Sequence, residues 1–382
     1  SAAPILRPMT ELRRELSLRD ATMINVGTMI ASAIFIVPAT VALQLDHSGL
    51  ILLAWVLGGV ISLFGALCVA ELGAAYPEAG GLFVYLREAF GPVWGFLYGW
   101  TVSLVINPAS IAAIAVGFAT YAGFFVPLTP AGVKLVAIGS IALLTALNYL
   151  GVRLGATTQN VLTFLKIGAL VALIALGLLL PGGSREHLTP LLPAHLTPGL
   201  AGAFGVAMVA ILWAYDGWIE ITYVGSEVKD PGRSLPISIL ASTAAVTLLY
   251  ALANLAYLYL LSPGRMADSP LVASDAAQVV IGSAGAALVA GAILVSTLGA
   301  NNGIVLTSAR IPYAMARAGL LFRWAGQVHP RFRTPGAALV AQGAVAAALA
   351  LTGRYDQLFT YVVFASWVFY GLGCAAVMWL RR

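Results

Sequence analysis

Trp213-Ala214-Tyr215-Asp216-Gly217-Trp218 sets a carboxylate beside a glycine in the middle of a long apolar stretch, residues 199 to 226. A charge at that depth in hydrocarbon is costly unless the backbone opens and something charged or wet faces it. The stretch therefore reads as an interrupted membrane span. A second interruption is expected in residues 21 to 45, where Gly27-Thr28-Met29-Ile30-Ala31-Ser32-Ala33-Ile34-Phe35 gathers small residues around a mid-span serine. Alone, that run reads more readily as a close-packing face. Its weight comes from where it lies in the chain.

Of the 382 residues, 60% are hydrophobic and 9% charged, too few solvating side chains to cover a water-soluble globule of this size. Lipid is the expected solvent. Ten segments are apolar and long enough to cross a bilayer: 21 to 45, 50 to 70, 92 to 126, 132 to 150, 159 to 181, 199 to 226, 236 to 262, 284 to 315, 336 to 352 and 356 to 380. A polar, proline-rich stretch divides them five and five. The expected organisation is an N-terminal segment 1–20, a first five-helix repeat 21–181, an outer linker 182–198 and a second repeat 199–382. Five is odd, so the second repeat enters the membrane from the opposite side to the first. Inverted halves of this kind are a transporter architecture, with substrate bound near the repeat interface. The interruptions of spans one and six fall at corresponding places.

Net charge is +5 and the pI about 9.3, yet the basic residues form no single stripe with interleaved aromatics, so nucleic acid is not the expected partner. Their distribution follows topology. With the N-terminus inside, fifteen basic residues, from Arg7 to Arg382, fall on the inner side and four, Lys134, Arg185, Arg265 and Arg354, on the outer. A multi-pass protein of the inner (plasma) membrane, with both ends of the chain cytoplasmic, is expected. The sequence opens on Ser1 with no cleavable leader, so the first span reads as an internal signal anchor.

Cys68 and Cys374 fall inside spans and His47, His187, His195 and His329 in or beside loops, without disulfide or zinc spacing. No metal, cofactor or catalytic residue is expected. Residues 262 to 282 read as a short outer helical hairpin over the entrance, and 71 to 88, with Gly80-Gly81, as the matching inner interfacial helix.

Several blocks then resemble the amino acid, polyamine and organocation transporter superfamily, and within it the L-type branch that includes the light chains of heteromeric amino acid exchangers. They are Gly65 to Gly73 leading to Pro77-Glu78-Ala79-Gly80-Gly81, Tyr215-Asp216-Gly217-Trp218 followed by Glu227 to Pro236, Ser296 to Gly303 with Thr307-Ser308-Ala309-Arg310, and Trp367-Val368-Phe369-Tyr370-Gly371. The resemblance implies an all-α polytopic membrane protein with the LeuT-like five-plus-five inverted repeat, helices one and six being unwound around an amino acid. Members of the family usually continue into two further helices beyond the point where this sequence stops, at Arg381-Arg382, and the light-chain resemblance leaves a partner subunit open. The family's first-helix loop reads Gly-Ser-Gly, whereas here it is Ala31-Ser32-Ala33, so a stiffer loop and a smaller pocket are expected.

An L-amino acid brings a carboxylate, suited by N–H groups at the start of a half-helix, and an ammonium, suited by open carbonyls at the end of another. Ile30, Ala31, Ser32, Ala33 and Ile34 in span one, with Tyr215, Asp216, Gly217 and Trp218 in span six, are the expected substrate residues, and Ser32, Ala33 and Ile34 the carboxylate side. Ordinary helix packing is the plain alternative for Tyr215 and Trp218. Lys166 lies deep in span five, where a snorkelling role does not reach. In sodium-independent relatives a lysine at the matching place fills the space of a sodium ion. Its ammonium is expected to tie helix one to helix eight, with Ser296 and Thr297 as acceptors, and a buried ammonium leaves a proton-linked role open. Asp216 and Glu220 share a helical face if the helix resumes promptly after Gly217. An aspartate at 216 looks like branch members that accept cationic as well as neutral amino acids. Glu220 reads first as an inner vestibule residue and second as a site for a proton or a cationic substrate. The leading function is a sodium-independent exchanger or proton-linked carrier of L-amino acids. The alternatives are an amino-acid-binding receptor that does not transport, a channel, or a membrane-embedded enzyme; the last lacks any accompanying Ser/His/Asp, HExxH or phosphate-cradling motif.

Overall fold

The computed structural model describes residues 11–195, 198–352 and 355–382, the last stretch from residue 365 where side chains are concerned. Arg7, of the inner basic residues, and Arg354, of the outer ones, lie outside the described residues, as does the first half of the expected N-terminal segment.

The first span is two helices. α1 (Leu18–Met29) starts on a capping box, with Ser17 Oγ accepting from Asp20 N at 3.2 Å and Asp20 Oδ2 accepting from Ser17 N at 2.9 Å. It ends where Ile30 turns extended (φ −80°, ψ 95°), and α2 (Ala33–Gln44) resumes at an angle of 41°. Then come α3 (Ser48–Ala75), α4 (Leu82–Phe90), α5 (Pro92–Thr101), a π-helical turn Val102–Ile106 leading into α6 (Asn107–Ala122), α7 (Pro130–Tyr149) and α8 (Val152–Leu179). The second half holds α9 (Pro198–Ala214), α10 (Pro231–Leu260), the short pair α11 (Pro263–Ala267) and α12 (Val272–Ile281), α13 (Ala284–Ser308), α14 (Arg310–Arg317), α15 (Gly336–Thr352) and α16 (Tyr355–Leu380). Each of the ten expected segments is helical over much of its length. Six uninterrupted runs, α3, α5–α6, α7, α8, α10 and α13–α14, are long and apolar enough to cross a membrane, and the bent pair α1–α2 makes a seventh; α9, α15 and residues 365–380 of α16 are shorter apolar helices.

Two expectations are corrected. Span six is α-helical only to Ala214: Gly217 takes φ 114°, a conformation that halts an α-helix, and the chain continues through turns and 3₁₀ segments at Glu220–Tyr223 and Gly225–Glu227. The segment 71 to 88 is not one interfacial helix. Its first five residues extend α3, because the apolar run continues to Ala75; Pro77 and the positive φ of Gly80 (105°) and Gly81 (49°) then turn the chain before α4.

α1 is the innermost element, wrapped by α10, α8 and α13, with Ala21, Ile24, Met29 and Ile30 fully buried. The segment ahead of α1 pairs with the chain after the sixth span: Leu16 N donates to Glu227 O and Lys229 N to Leu16 O, at 2.9 and 2.8 Å. Gly80 N donates to Tyr223 O at 2.9 Å, and Arg381 pairs with Glu71 near the end of α3. The start of α1, the end of α3, the chain after span six and the last residues therefore share one face of the molecule.

Candidate functional site

The breaks in spans one and six face each other because Gly217 lets the two backbones touch. A Cβ built on Gly217 would lie 2.9 Å from the Thr28 carbonyl carbon and 3.0 Å from Met29 N, so the glycine is required both by its φ and by the close approach. The Thr28 hydroxyl lies 3.2 Å from Gly217 O, and Tyr250 Oη donates to Met29 O at 2.9 Å. At the first break no residue needs a positive φ: Ile30 is extended and Ser32 takes φ −74°, ψ −18°. The two alanines thus occupy ordinary backbone conformations. Glycine's freedom is not needed there.

Lys166 fills the space behind this break. Its Nζ donates to Gly27 O at 2.8 Å, Ile30 O at 2.7 Å and Ser296 O at 2.9 Å, using all three ammonium protons, and the side chain is buried. Three backbone carbonyls converging on one cation join the end of α1 to α13. Ser296 acts through its carbonyl; its hydroxyl lies 3.1 Å from both Ile30 O and Ala31 O. Thr297 is not an acceptor for Lys166, whose three protons go to the Gly27, Ile30 and Ser296 carbonyls; the Thr297 hydroxyl itself donates to Ile293 O at 2.7 Å within α13.

In front of the break lies a cavity of about 430 Å³. Ala31, Ser32 and Ala33 line it at the start of α2, whose first N–H groups precede the first intrahelical bond. Asp216 and Gly217 line it from the sixth span, together with Glu220, Asn107, Ser110, Tyr98, Tyr223 and Tyr370. Ile30, Ile34, Tyr215 and Trp218 do not line it. Tyr215 points the other way, with Oη donating to Trp55 O at 3.1 Å and its ring tilted against Tyr250, and Trp218 is buried against Tyr370. Once Gly217 turns the chain, neighbouring side chains no longer follow helical spacing.

Asp216 Oδ1 accepts from Tyr370 Oη at 2.8 Å and from Gly217 N at 2.9 Å. Glu220 accepts from the Thr307 hydroxyl on α13, and both residues are buried. Asp216 and Glu220 therefore share one cavity through a 3₁₀ turn rather than through a resumed helix. Asn107 Nδ2, on the cavity wall, has no hydrogen-bond partner among the described residues. Asn107-Pro108 in mid-span, just after the π-turn, was the available sequence signal for this wall.

The cavity runs along α6 to Thr120 and Tyr121, toward the face opposite the N-terminal segment. At its other end Tyr98 and Tyr223 join hydroxyls at 2.7 Å. Beyond them Arg310 Nε and Nη2 grip the Glu227 carboxylate at 2.7 and 3.1 Å, a pair with no solvent exposure on either side chain, and Arg310 also donates to Leu306 O. This buried ion pair escaped sequence reasoning, since its partners are 83 residues apart in unrelated motifs.

A helical membrane chain whose cavity lies where two broken spans meet has the architecture of a secondary transporter. The amino acid permease family matches it over residues 16–382, and the chain belongs to that family. It is 34% identical over 377 residues to the b(0,+)-type amino acid transporter 1 of Mus musculus, covering 97% of this chain and 77% of that one. Against the serine/threonine exchanger SteT of Bacillus subtilis (strain 168) the identity is 33% over 374 residues, covering 97% and 84%. Against the Asc-type amino acid transporter 1 of Homo sapiens it is 33% over 381 residues, covering 97% and 72%. A solved Na⁺-coupled sialic acid symporter, in a substrate-bound outward-open state, superposes with a TM-score of 0.66 at 11% identity, over 96% of this chain and 78% of that one. That likeness carries the fold, an all-helical LeuT-like one.

Proposed function

We propose that this protein is a sodium-independent secondary transporter of L-amino acids, an exchanger or proton-linked carrier, that alternates access around the cavity between spans one and six. The observation that carries this reading is the ammonium of Lys166 seated among Gly27 O, Ile30 O and Ser296 O, where the protein supplies its own cation to the carbonyl cluster behind the break. Such a site has no need of a dissolved ion. The relatives named above, two amino acid transporters and a serine/threonine exchanger, support the substrate class.

In this reading the substrate carboxylate meets the N–H groups of Ser32, Ala33 and Ile34 at the start of α2, where the helix end favours an anion. The ammonium meets carbonyls at the broken ends of α1 and α9. Asp216 and Glu220 face the substrate side chain, which suits cationic as well as neutral amino acids, and Glu220 with Thr307 is also the place for a proton. The repeats are 21–181 and 199–382, joined by 182–198, and the shared face of the two chain ends is cytoplasmic.

Counterflow into liposomes loaded with unlabelled amino acid tests this directly, because a protein that only binds gives no accumulation. Leucine, leucinamide and isoamylamine as competitors then test how substrate is read. Loss of the carboxylate should weaken inhibition by at least about 2 kcal/mol, since donors arranged for an anion would be left unpaired. Equal inhibition by all three would remove the proposed carboxylate site.

A further inference from the structure

Away from the transport cavity, on the face that carries the N-terminal segment, Arg13, Arg153, Arg331 and Arg333 line one pocket of about 490 Å³ with Glu15 as the single acid. The four arginines come from three separate parts of the chain: the segment before α1, the start of α8 and the loop before α15. None of them makes an ion pair with a described residue. A topological bias toward basic residues on this face would be met by arginines placed anywhere on it. Convergence on one concavity is a different matter. Like charges brought together repel, and an anion between them relieves that repulsion.

The loop that carries two of these arginines is held in shape. Thr334 Oγ1 donates to Tyr149 O at 2.8 Å, His329 N donates to Thr334 O at 2.8 Å, and His329 stacks on Phe332 with ring centres 4.6 Å apart. Arg333 is kept at φ 57° within this loop. The pocket lies between the end of α7 and the start of α8, both ends of membrane-crossing helices, and so at headgroup depth. Its rim is apolar on one side, where Leu150 and Leu154 are 49% and 42% exposed.

We infer that this pocket binds the headgroup of an anionic phospholipid. Guanidinium forks match phosphate oxygens two at a time, and Leu150 and Leu154 receive the start of the acyl chains. A free phosphate would use the same arginines but would leave the leucines exposed. The site has a mechanical consequence. Arg13 lies three residues before Leu16, which is bonded to the chain after the broken sixth span, whereas the other three arginines belong to α8 and the loop packed on α7. A bound headgroup therefore ties the N-terminal segment to those helices and favours the arrangement in which this face is closed.

The test uses the purified full chain in detergent, with thermal unfolding followed as short-chain phosphatidylglycerol, short-chain phosphatidylcholine or inorganic phosphate is added. The inference expects a saturable rise in the melting midpoint with phosphatidylglycerol alone. Arg153→Gln and Arg331→Gln, both at exposed positions, should each weaken that titration about fivefold, while counterflow in pure phosphatidylcholine liposomes stays unchanged. Equal shifts with the two lipids would overturn it. So would an equal shift with inorganic phosphate, which would make this a free-anion site, or variants that titrate like the parent. Because the midpoint is read without transport, failure here is distinguishable from failure of the transporter reading.

Discussion

Asp216 holds two donors on one oxygen, Tyr370 Oη and its own neighbour Gly217 N, while no described residue bonds Oδ2, which in the proposed reading meets a substrate cation. Asp216→Asn should therefore weaken arginine or ornithine uptake by about 1 to 3 kcal/mol relative to leucine or alanine, the range of a charge-assisted hydrogen bond. Competition kinetics in liposomes would read this difference. Equal losses for both classes would place Asp216 on the substrate ammonium or in the gate instead. The carboxylate and glycine were legible in the sequence because a charge in mid-span demands a reason. The partners were not, because Tyr370 and Thr307 reach the site from α16 and α13 through tertiary packing. Thr297 shows the same limit from the other side: Lys166 gives its three protons to backbone carbonyls, and the hydroxyl one position from Ser296 stays within its own helix.

At the scale of elements, the first break forms without glycine at residues 31 and 33, since neither position needs a left-handed backbone. Ala33→Gly should accordingly keep activity and admit bulkier substrates, its effect arising from the lost methyl group at the cavity wall. Ala33→Val should lower transport of every substrate, because a branched side chain crowds the cavity and stiffens the start of α2. A substrate-selective defect in the valine variant would mean that residue 33 contacts only the side chain. Long apolar helices were legible from hydropathy, as were two short helices, α11 and α12, and the place of both breaks. The course of the chain after Gly217 was not. Helical arithmetic carried Asp216 and Glu220 onto one face, and a 3₁₀ turn brings them to the same cavity by another route, leaving Tyr215 and Trp218 in the packing.

For the whole molecule, the cavity reaches one face while Tyr98–Tyr223, Arg310–Glu227 and the N-terminal segment close the other. Opening that face must separate or carry along a fully buried ion pair. Removing one partner strands the other charge, so Arg310→Met should destabilise by about 3 to 5 kcal/mol, whereas adding Glu227→Leu to it should recover much of that loss. Apparent melting midpoints of the single and double variants check this, and a double variant worse than the single would show that the pair is needed for more than mutual neutralisation. In the proposed function Lys166 takes the place of a dissolved cation between α1 and α13. The most direct test of this is uptake of a labelled amino acid by loaded proteoliposomes in sodium and in choline, for the parent and for Lys166→Ala. Parent uptake should be equal in both salts, and the alanine variant should lose uptake that sodium partly restores by occupying the vacated carbonyl cluster. A parent that requires sodium would contradict this role of Lys166.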